Sequence, residues 1–311
     1  MRAAQFDEQG GPEVIHIVEV DEPHPGHGQI RIRVHAAAVN PTDTGLVSGR
    51  YADRHTAPGP YIPGADAAGV VDEVGEGSRW SVGDRVAAVV VPYRPAGGAY
   101  AEQVVVPDTS VLRLPDDVDF PAGSTFLMNA LTARLLLEAL GLAAGQTLAV
   151  TGAAGAFGGY AMQMAKAAGL RVVADAAEKD EELVRSLGAD VVVRRGDDVA
   201  AHIREAVPEG VDGLVDGAVQ GELTTAAVKD GGVIGSVRGW SGELERGITA
   251  KAVLVYQHID RADLVKGLEE QLADGVYTLR VAQLLPAEQA EQAHRKLAAG
   301  GVRGRLVLDF S

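Results

Sequence analysis

The chain of 311 residues contains no cysteine. That excludes disulfides, thiolate zinc sites and cysteine nucleophiles. Long apolar runs are also missing: stretches such as "RVAAVVVPY" (85–93) are too short to span a bilayer. Residues 1–20 lack a charged start followed by an apolar run, so no secretory signal, no membrane partner and a cytoplasmic location are expected. Basic side chains are in deficit, 28 against 43 acidic, for a formal net charge of −15. Duplex nucleic acid needs a basic face, so it is not expected as a partner. The acidity reads as a solubility device. There are no internal repeats and no low-complexity segments. What remains, 46% hydrophobic and 23% charged residues, is a globular chain with enough length for one large domain or two ordinary ones.

Alternation and turn signals make the first part β-rich. "VIHIVEV", "QIRIRVHAAAV", "AYAEQVVVP" (99–107) and the two halves of "GVVDEVGEGSRWSVGDRVAAVV" (69–90) read as strands, with "PHPGHGQ" (23–29) as a loop. Many short strands with Gly/Pro turns suggest a small barrel-like domain. The pattern changes near Pro121. "STFLMNALTARLLLEALG" (124–141) is helical, and strands then alternate with helices as far as "KAVLVYQ" (251–257) and "RADLVKGLEEQLADG". That alternation predicts a parallel, doubly wound sheet. After Gly275 a strand–helix–strand segment returns to complete the first domain. The expected division is 1–120 with 278–311 as one domain and 121–277 as the other.

"TGAAGAFGGYAMQMAKAAG" (151–169) holds five glycines at a strand-to-helix junction. From Ala153 the spacing is A-x-G-x-x-G, with Gly152 just before the motif. Gly155 would let backbone approach a pyrophosphate, Gly158 would permit close helix–strand packing, and the helix N-terminus would face the phosphates. The alternative is a small-residue helix packed on a sheet without a ligand. Three further strand–helix units downstream favour the phosphate cradle.

At this point the chain resembles the zinc-independent medium-chain dehydrogenases/reductases of the quinone oxidoreductase (zeta-crystallin-like) branch. The resemblance is carried by "GGPEV" (10–14), "VNPTD" (39–43), "IPGADAAGVVDEVG" (62–75), "VGDRV" (82–86), "GGAYAE" (97–102), "ALTA" (130–133), "GAAGAFG" (152–158), "LGAD" (187–190) and "GVRGRLVL" (301–308), in family order. It implies an α/β chain with a GroES-like β-rich substrate domain and a doubly wound parallel Rossmann domain. It also implies a nicotinamide bound between them, hydride transfer to a quinone or α,β-unsaturated carbonyl, and a homodimer through the sixth Rossmann strand, here "KAVLVY" (251–256). Residues 152, 154, 155, 156, 157 and 158 (Gly152, Ala154, Gly155, Ala156, Phe157, Gly158) would form the phosphate turn.

Zinc-dependent relatives carry Gly-His-Glu where this chain has Gly64-Ala65-Asp66, so no metal is expected. His24 and His27 form an H-x-x-H pair without a third ligand nearby and read as a solvated loop. Without metal, the acceptor must already be electrophilic, and hydrogen-bond donors stabilise the charge that builds on its oxygen. The resemblance places Asn40 and Asp43 near the nicotinamide, although an Asn before Pro is also an ordinary turn residue. Gly45 stands where relatives often carry a pocket tyrosine, which suggests a roomier pocket. Tyr51 and Tyr100 are the candidate donors; each is also readable as a packing tyrosine. Asn129 and Thr132 fall in the motif that meets the nicotinamide in relatives, with helix surface or capping as the alternative.

The choice of cofactor turns on the end of the second Rossmann strand. A carboxylate there binds the ribose of NAD, and a cation accommodates the 2′-phosphate of NADP. Asp175 ends "RVVAD", but a register one residue earlier would turn it to the opposite face. Lys179 and Arg195 supply two cations, so NADP(H) is favoured over NAD(H). Asp216 is expected near the ribose, and Val237 offers a backbone group to the carboxamide. Two other functions stay open: an enoyl or tailoring reductase of a biosynthetic pathway, and a non-catalytic nucleotide-binding protein.

Overall fold

The computed structural model describes residues 1–54, 58–94 and 97–311. They form two compact units. One contains Met1–Met128, Ile259–Ala273 and Leu279–Ser311; the other contains Asn129–His258 and Asp274–Thr278.

The first unit is built on a mostly antiparallel sheet. Its strands run in the order Val281–Pro286, Arg305–Asp309, Gln29–Ala38, Asp66–Val74, Arg85–Val89, Val111–Arg113, and Gln103–Pro107 also pairs with Gln29–Ala38. The long strand Gln29–Ala38 shows why the sequence chooses this arrangement. Its first half alternates buried Ile30, Ile32 and Val34 with more exposed Arg31 and Arg33, as a one-sided strand must. Its second half, Ala36–Ala38, is fully buried because the helix Phe120–Ser124 covers the face that the arginines leave to water. That helix begins at Asp119, whose carboxylate accepts the Ala122 N–H at 2.7 Å, with Pro121 in its first turn.

The second unit is a parallel sheet in the order Val191–Arg194, Arg171–Ala176, Thr147–Thr151, Val211–Asp216, Val228–Ser236, Thr249–Ala252. This is the doubly wound 3-2-1-4-5-6 arrangement. Buried Ala149, Val173, Val211, Leu214 and Ile234 from four of these strands share one cluster with Val199 and Ile203 of the helix Val199–Ala206.

The structure departs from the expected elements in two places. The helix Ala262–Ala273, assigned by its position to the second domain, packs in the first unit against Val111–Arg113 and residues Asp108–Ser110. It buries Leu264, Val265, Leu268 and Leu272 there, and Glu269 accepts the Arg113 backbone N–H at 2.6 Å. An amphipathic helix states which face it buries but not against what. The sixth parallel strand is shorter than "KAVLVY": it covers Thr249–Ala252, and 255–257 turns as a 3-10 helix. Its outer edge is not bare, because Gly242–Glu243 pairs with it antiparallel. No helix among the described residues is long and apolar enough to cross a membrane.

The glycine stretch follows the strand Thr147–Thr151 directly and leads into the helix Ala156–Ala167. Gly152 sits at φ +67, and a Cβ there would stand 2.8 Å from the Gly217 carbonyl carbon. A Cβ on Gly158 would press into the Gly152 carbonyl oxygen and lie 2.8 Å from the Ala153 Cα. Gly155, the residue before the helix, meets only the Gly152 oxygen, at 3.1 Å, and is otherwise open. Gly158→Val is expected to lose about 2–3 kcal/mol of stability by overpacking, whereas Gly155→Val loses under about 1 kcal/mol. Denaturant midpoints of the two variants check this; equal losses would mean that the two glycines do the same work.

Candidate active site

In the first unit, Asn40 and Asp43 open the helix Pro41–Val47. Asp43, three residues on, accepts the Asn40 backbone N–H at 2.8 Å, which ties off an otherwise orphaned donor. The Asn40 side-chain amide donates to Asp66 at 2.8 Å, and the second Asp66 oxygen accepts the Met128 N–H at 2.9 Å. The Tyr100 hydroxyl donates to Asp43 at 3.3 Å and lies 3.2 Å from His294 Nε2. The tautomer with its proton on Nε2 fits both contacts, since Nε2–H then donates to the tyrosine oxygen. Gly64, at φ +108, makes this convergence possible: a Cβ there would lie 2.8 Å from the backbone nitrogens of Ala99 and Tyr100.

Asp43, Asp66, Tyr100 and His294 are all at most 1% exposed. Burial pushes the Asp43 carboxyl up to about 7 and the Asp66 carboxyl up to about 6, against hydrogen bonds and the nearby Arg305 guanidinium, which pull both down. Burial likewise lowers His294 to about 4 and raises the Tyr100 phenol. This cluster therefore holds protons and fixes the helix start.

The arrangement bears on the expectations for Tyr100, Asn40 and Gly45. Tyr100 is fully buried, so its hydroxyl serves Asp43 and His294, not a substrate oxygen. The Asn40 amide nitrogen is spent on Asp66 and on the Ala38 carbonyl at 3.4 Å. Tyr51 alone of the first-unit candidates stays half-buried, outside the cluster. It also overturns the roomier pocket: its ring occupies the space that a side chain at Gly45 would need, with Cδ2 2.9 Å from a Cβ built there. Gly45 does not leave a hole; it admits Tyr51.

In the second unit, two strand-end carboxylates hydrogen-bond the protein itself. Asp175 is buried, accepts the Ala153 N–H at 3.1 Å and thereby pins the glycine turn. Desolvation raises its pKa, opposed by the turn's N–H groups and the charge of Arg195. Asp216 accepts the Thr151 hydroxyl at 2.8 Å and the N–H groups of Gln220 and Gly221 at 3.1 and 2.8 Å. Asp216 thus spends both oxygens on the protein, and Asp175 spends Oδ1 on the glycine turn. Lys179 and Arg195 are exposed, and the Arg195 N–H donates to Ala176, the last residue of the Asp175 strand, at 3.0 Å. Val237 follows the end of the strand Val228–Ser236. Asn129 is buried and Thr132, three residues on along the helix Leu127–Leu140, is half-buried on the same face. Ala154, Ala156 and Phe157 lie within the turn and the first helical residues. His24 reaches Glu73 at 2.9 Å, an exposed surface pair.

Comparison with known proteins identifies the scaffold. A model of the alcohol dehydrogenase GroES-like domain matches residues 26–116, and one of the zinc-binding dehydrogenases matches 156–259. The quinone oxidoreductase of Sus scrofa is 32% identical over 99% of this chain and 97% of its own. The chain belongs to the quinone oxidoreductase family of medium-chain dehydrogenases/reductases. Among solved structures, the mycobacterial protein Rv1454c complexed with NADPH is 28% identical, covers 99% of this chain and 100% of its own, and has a TM-score of 0.87. An NAD-dependent alcohol dehydrogenase is also 28% identical, covers 99% of both chains and has a TM-score of 0.86.

Sequence reasoning missed His294 and Arg305. Nothing in the local pattern around His294 or Arg305 signals a partner some two hundred residues or more away. Asp66 was visible as the residue in the zinc-ligand motif, but not as the acceptor for Asn40.

Between its ordinary value and about 7, the folded Asp43 keeps a proton that the unfolded chain releases. Its burial therefore opposes folding more as pH rises through that window, and fully above it. Asp43→Asn removes the ionisation and keeps an acceptor. It is expected to gain stability relative to the parent between pH 4.5 and 8.5, on the order of 2–4 kcal/mol. Thermal melts across that range check this, and a pH-independent difference would contradict it.

Proposed function

We propose that the chain is an NADPH-dependent, metal-independent reductase that transfers hydride to a quinone or an α,β-unsaturated carbonyl. The observation that carries this reading is the open Gly155 at the start of the helix Ala156–Ala167, in a glycine turn on the central strand of a doubly wound sheet. The donor set fits a dinucleotide: backbone N–H groups for the pyrophosphate, and two exposed cations for a 2′-phosphate, Lys179 just past the second strand and Arg195 just past the third. The burial of Asp175 and the hydrogen bond from Ala153 to its Oδ1 support NADP over NAD, because they weaken the repulsion that a free carboxylate would exert on that phosphate.

Metal independence rests on the side chains. Ala65 carries no ligand atom, Asp66 is engaged by Asn40 and Met128, and among the described residues no three His, Asp or Glu side chains converge as a ligand set. A bound nicotinamide supplies the hydride. The chain's part is to hold the acceptor, keep water from the reacting carbon and place donors near the oxygen that gains charge. Tyr51 is the donor candidate still outside the buried cluster. Asn40, Asp43 and Tyr100 are positioning residues that fix the helix from which Tyr51 follows.

The purified protein, dialysed against a chelator, is expected to oxidise NADPH with 1,4-naphthoquinone or a simple enone at undiminished rate. Stoichiometric zinc lost together with activity would overturn metal independence, and no turnover with any conjugated carbonyl would overturn the reaction. Lys179→Ala is expected to weaken NADPH binding about tenfold, as for loss of one charge-assisted hydrogen bond, and to leave NADH within twofold. Calorimetric Kd values for both nucleotides check this. A parent protein that binds NADH more tightly would reverse the assignment.

A further inference from the structure

Tyr51 does not stand alone. The Arg54 guanidinium lies over its ring, 4.2 Å from the centroid, and 6.0 Å from the ring centre of Tyr93. Tyr93 is 5% exposed, and its phenol is pushed up to about 12 by burial, against a hydrogen bond from Arg54 that pulls it down. The next residue, Arg94, lines a hollow of about 170 Å³ together with Tyr93, Tyr61, Ile62 and Pro92. Tyr93 thus lies between the Arg54 guanidinium on one hand and the hollow that Arg94 lines on the other.

Neither arginine forms an ion pair among the described residues, although the chain has 43 acidic side chains. The nearest carboxyl inside the cluster, Asp43, is held by Asn40 and Tyr100 and keeps its proton up to about pH 7. A guanidinium stacked on a ring uses its face, and with one N–H given to Tyr93 the remaining N–H groups along its edge can still bind a planar anion. Net charge −15 would repel an anionic acceptor in solution, so an anion-selecting pocket needs local cations of this kind.

We propose that Arg54, stacked on Tyr51 beside Tyr93 and seconded by Arg94, selects acceptors that carry an anionic group, a carboxylate or sulfonate, next to the conjugated carbonyl. This rests on the reductase reading above and narrows its substrate class. Gly45 is part of the device, since a side chain there would displace the ring on which the guanidinium is stacked.

The test compares 1,4-naphthoquinone with its 2-sulfonate, which shares the ring system and adds one negative charge. The parent protein is expected to favour the sulfonate in kcat/KM, with the preference shrinking as salt is raised. Arg54→Gln should lower the sulfonate-to-neutral ratio by about tenfold or more, chiefly through KM, and Arg54→Lys should restore part of it. An unchanged ratio in Arg54→Gln, or a parent with no preference, would overturn the proposal. A second readout does not depend on turnover: calorimetric binding of 2-naphthalenesulfonate to the parent and to Arg54→Gln. Should neither quinone be reduced, the reductase reading fails. A tenfold weaker affinity of Arg54→Gln for the sulfonate would still support the anion site, and equal affinities would overturn it.

Discussion

The close approach of backbone at the end of the strand Thr147–Thr151 is the constraint on which the second unit depends. Gly152, Gly158 and Gly217 meet there without side chains, and a Cβ on Gly217 would stand 2.6 Å from the Thr151 carbonyl oxygen. Packing this tight needs polar bracing, because the turn's N–H groups would otherwise be buried without acceptors. Asp175 supplies one acceptor from the neighbouring strand, and on the other side Asp216 fixes the end of the strand by accepting the Thr151 hydroxyl. The turn is thus pre-shaped before any ligand arrives, and affinity is not diminished by ordering it on binding.

The first unit solves a related problem with titratable groups. Two carboxyls, a phenol and an imidazole are buried around the start of one short helix, and the hydrogen bonds among them hold it in place. Their burial is costly if charged, so the cluster favours neutral forms, with the Arg305 guanidinium nearby to offset what charge there is. The site candidates divide accordingly. Asn40, Asp43 and Tyr100 set geometry inside the cluster, while Tyr51 and Arg54, a few residues on, stack on each other outside it.

The fold class was legible because periodicity and glycine spacing are local signals: a strand running into A-x-G-x-x-G names a junction before any contact is known. The carboxylates were harder. Sequence placed Asp175 and Asp216 at strand ends, as the structure has them, but an aspartate in that position has the same spelling whether it faces a ribose or a backbone N–H. Gly45 misled in the opposite sense. A missing side chain reads as empty space, and here a ring from six residues further on fills it. The helix Ala262–Ala273 was found as a helix and given the wrong neighbour, since its leucines would suit either core.

The chain passes from one unit to the other after Met128, His258, Ala273 and Thr278. One result lies in the order of synthesis. The first unit begins with the earliest residues, yet its sheet contains Arg305–Asp309 between Gln29–Ala38 and Val281–Pro286. The second unit, whose strands all lie between residues 147 and 252, has its sheet complete well before that. On the ribosome the nucleotide-fold half can close while the half that started earlier still waits for its inner strand.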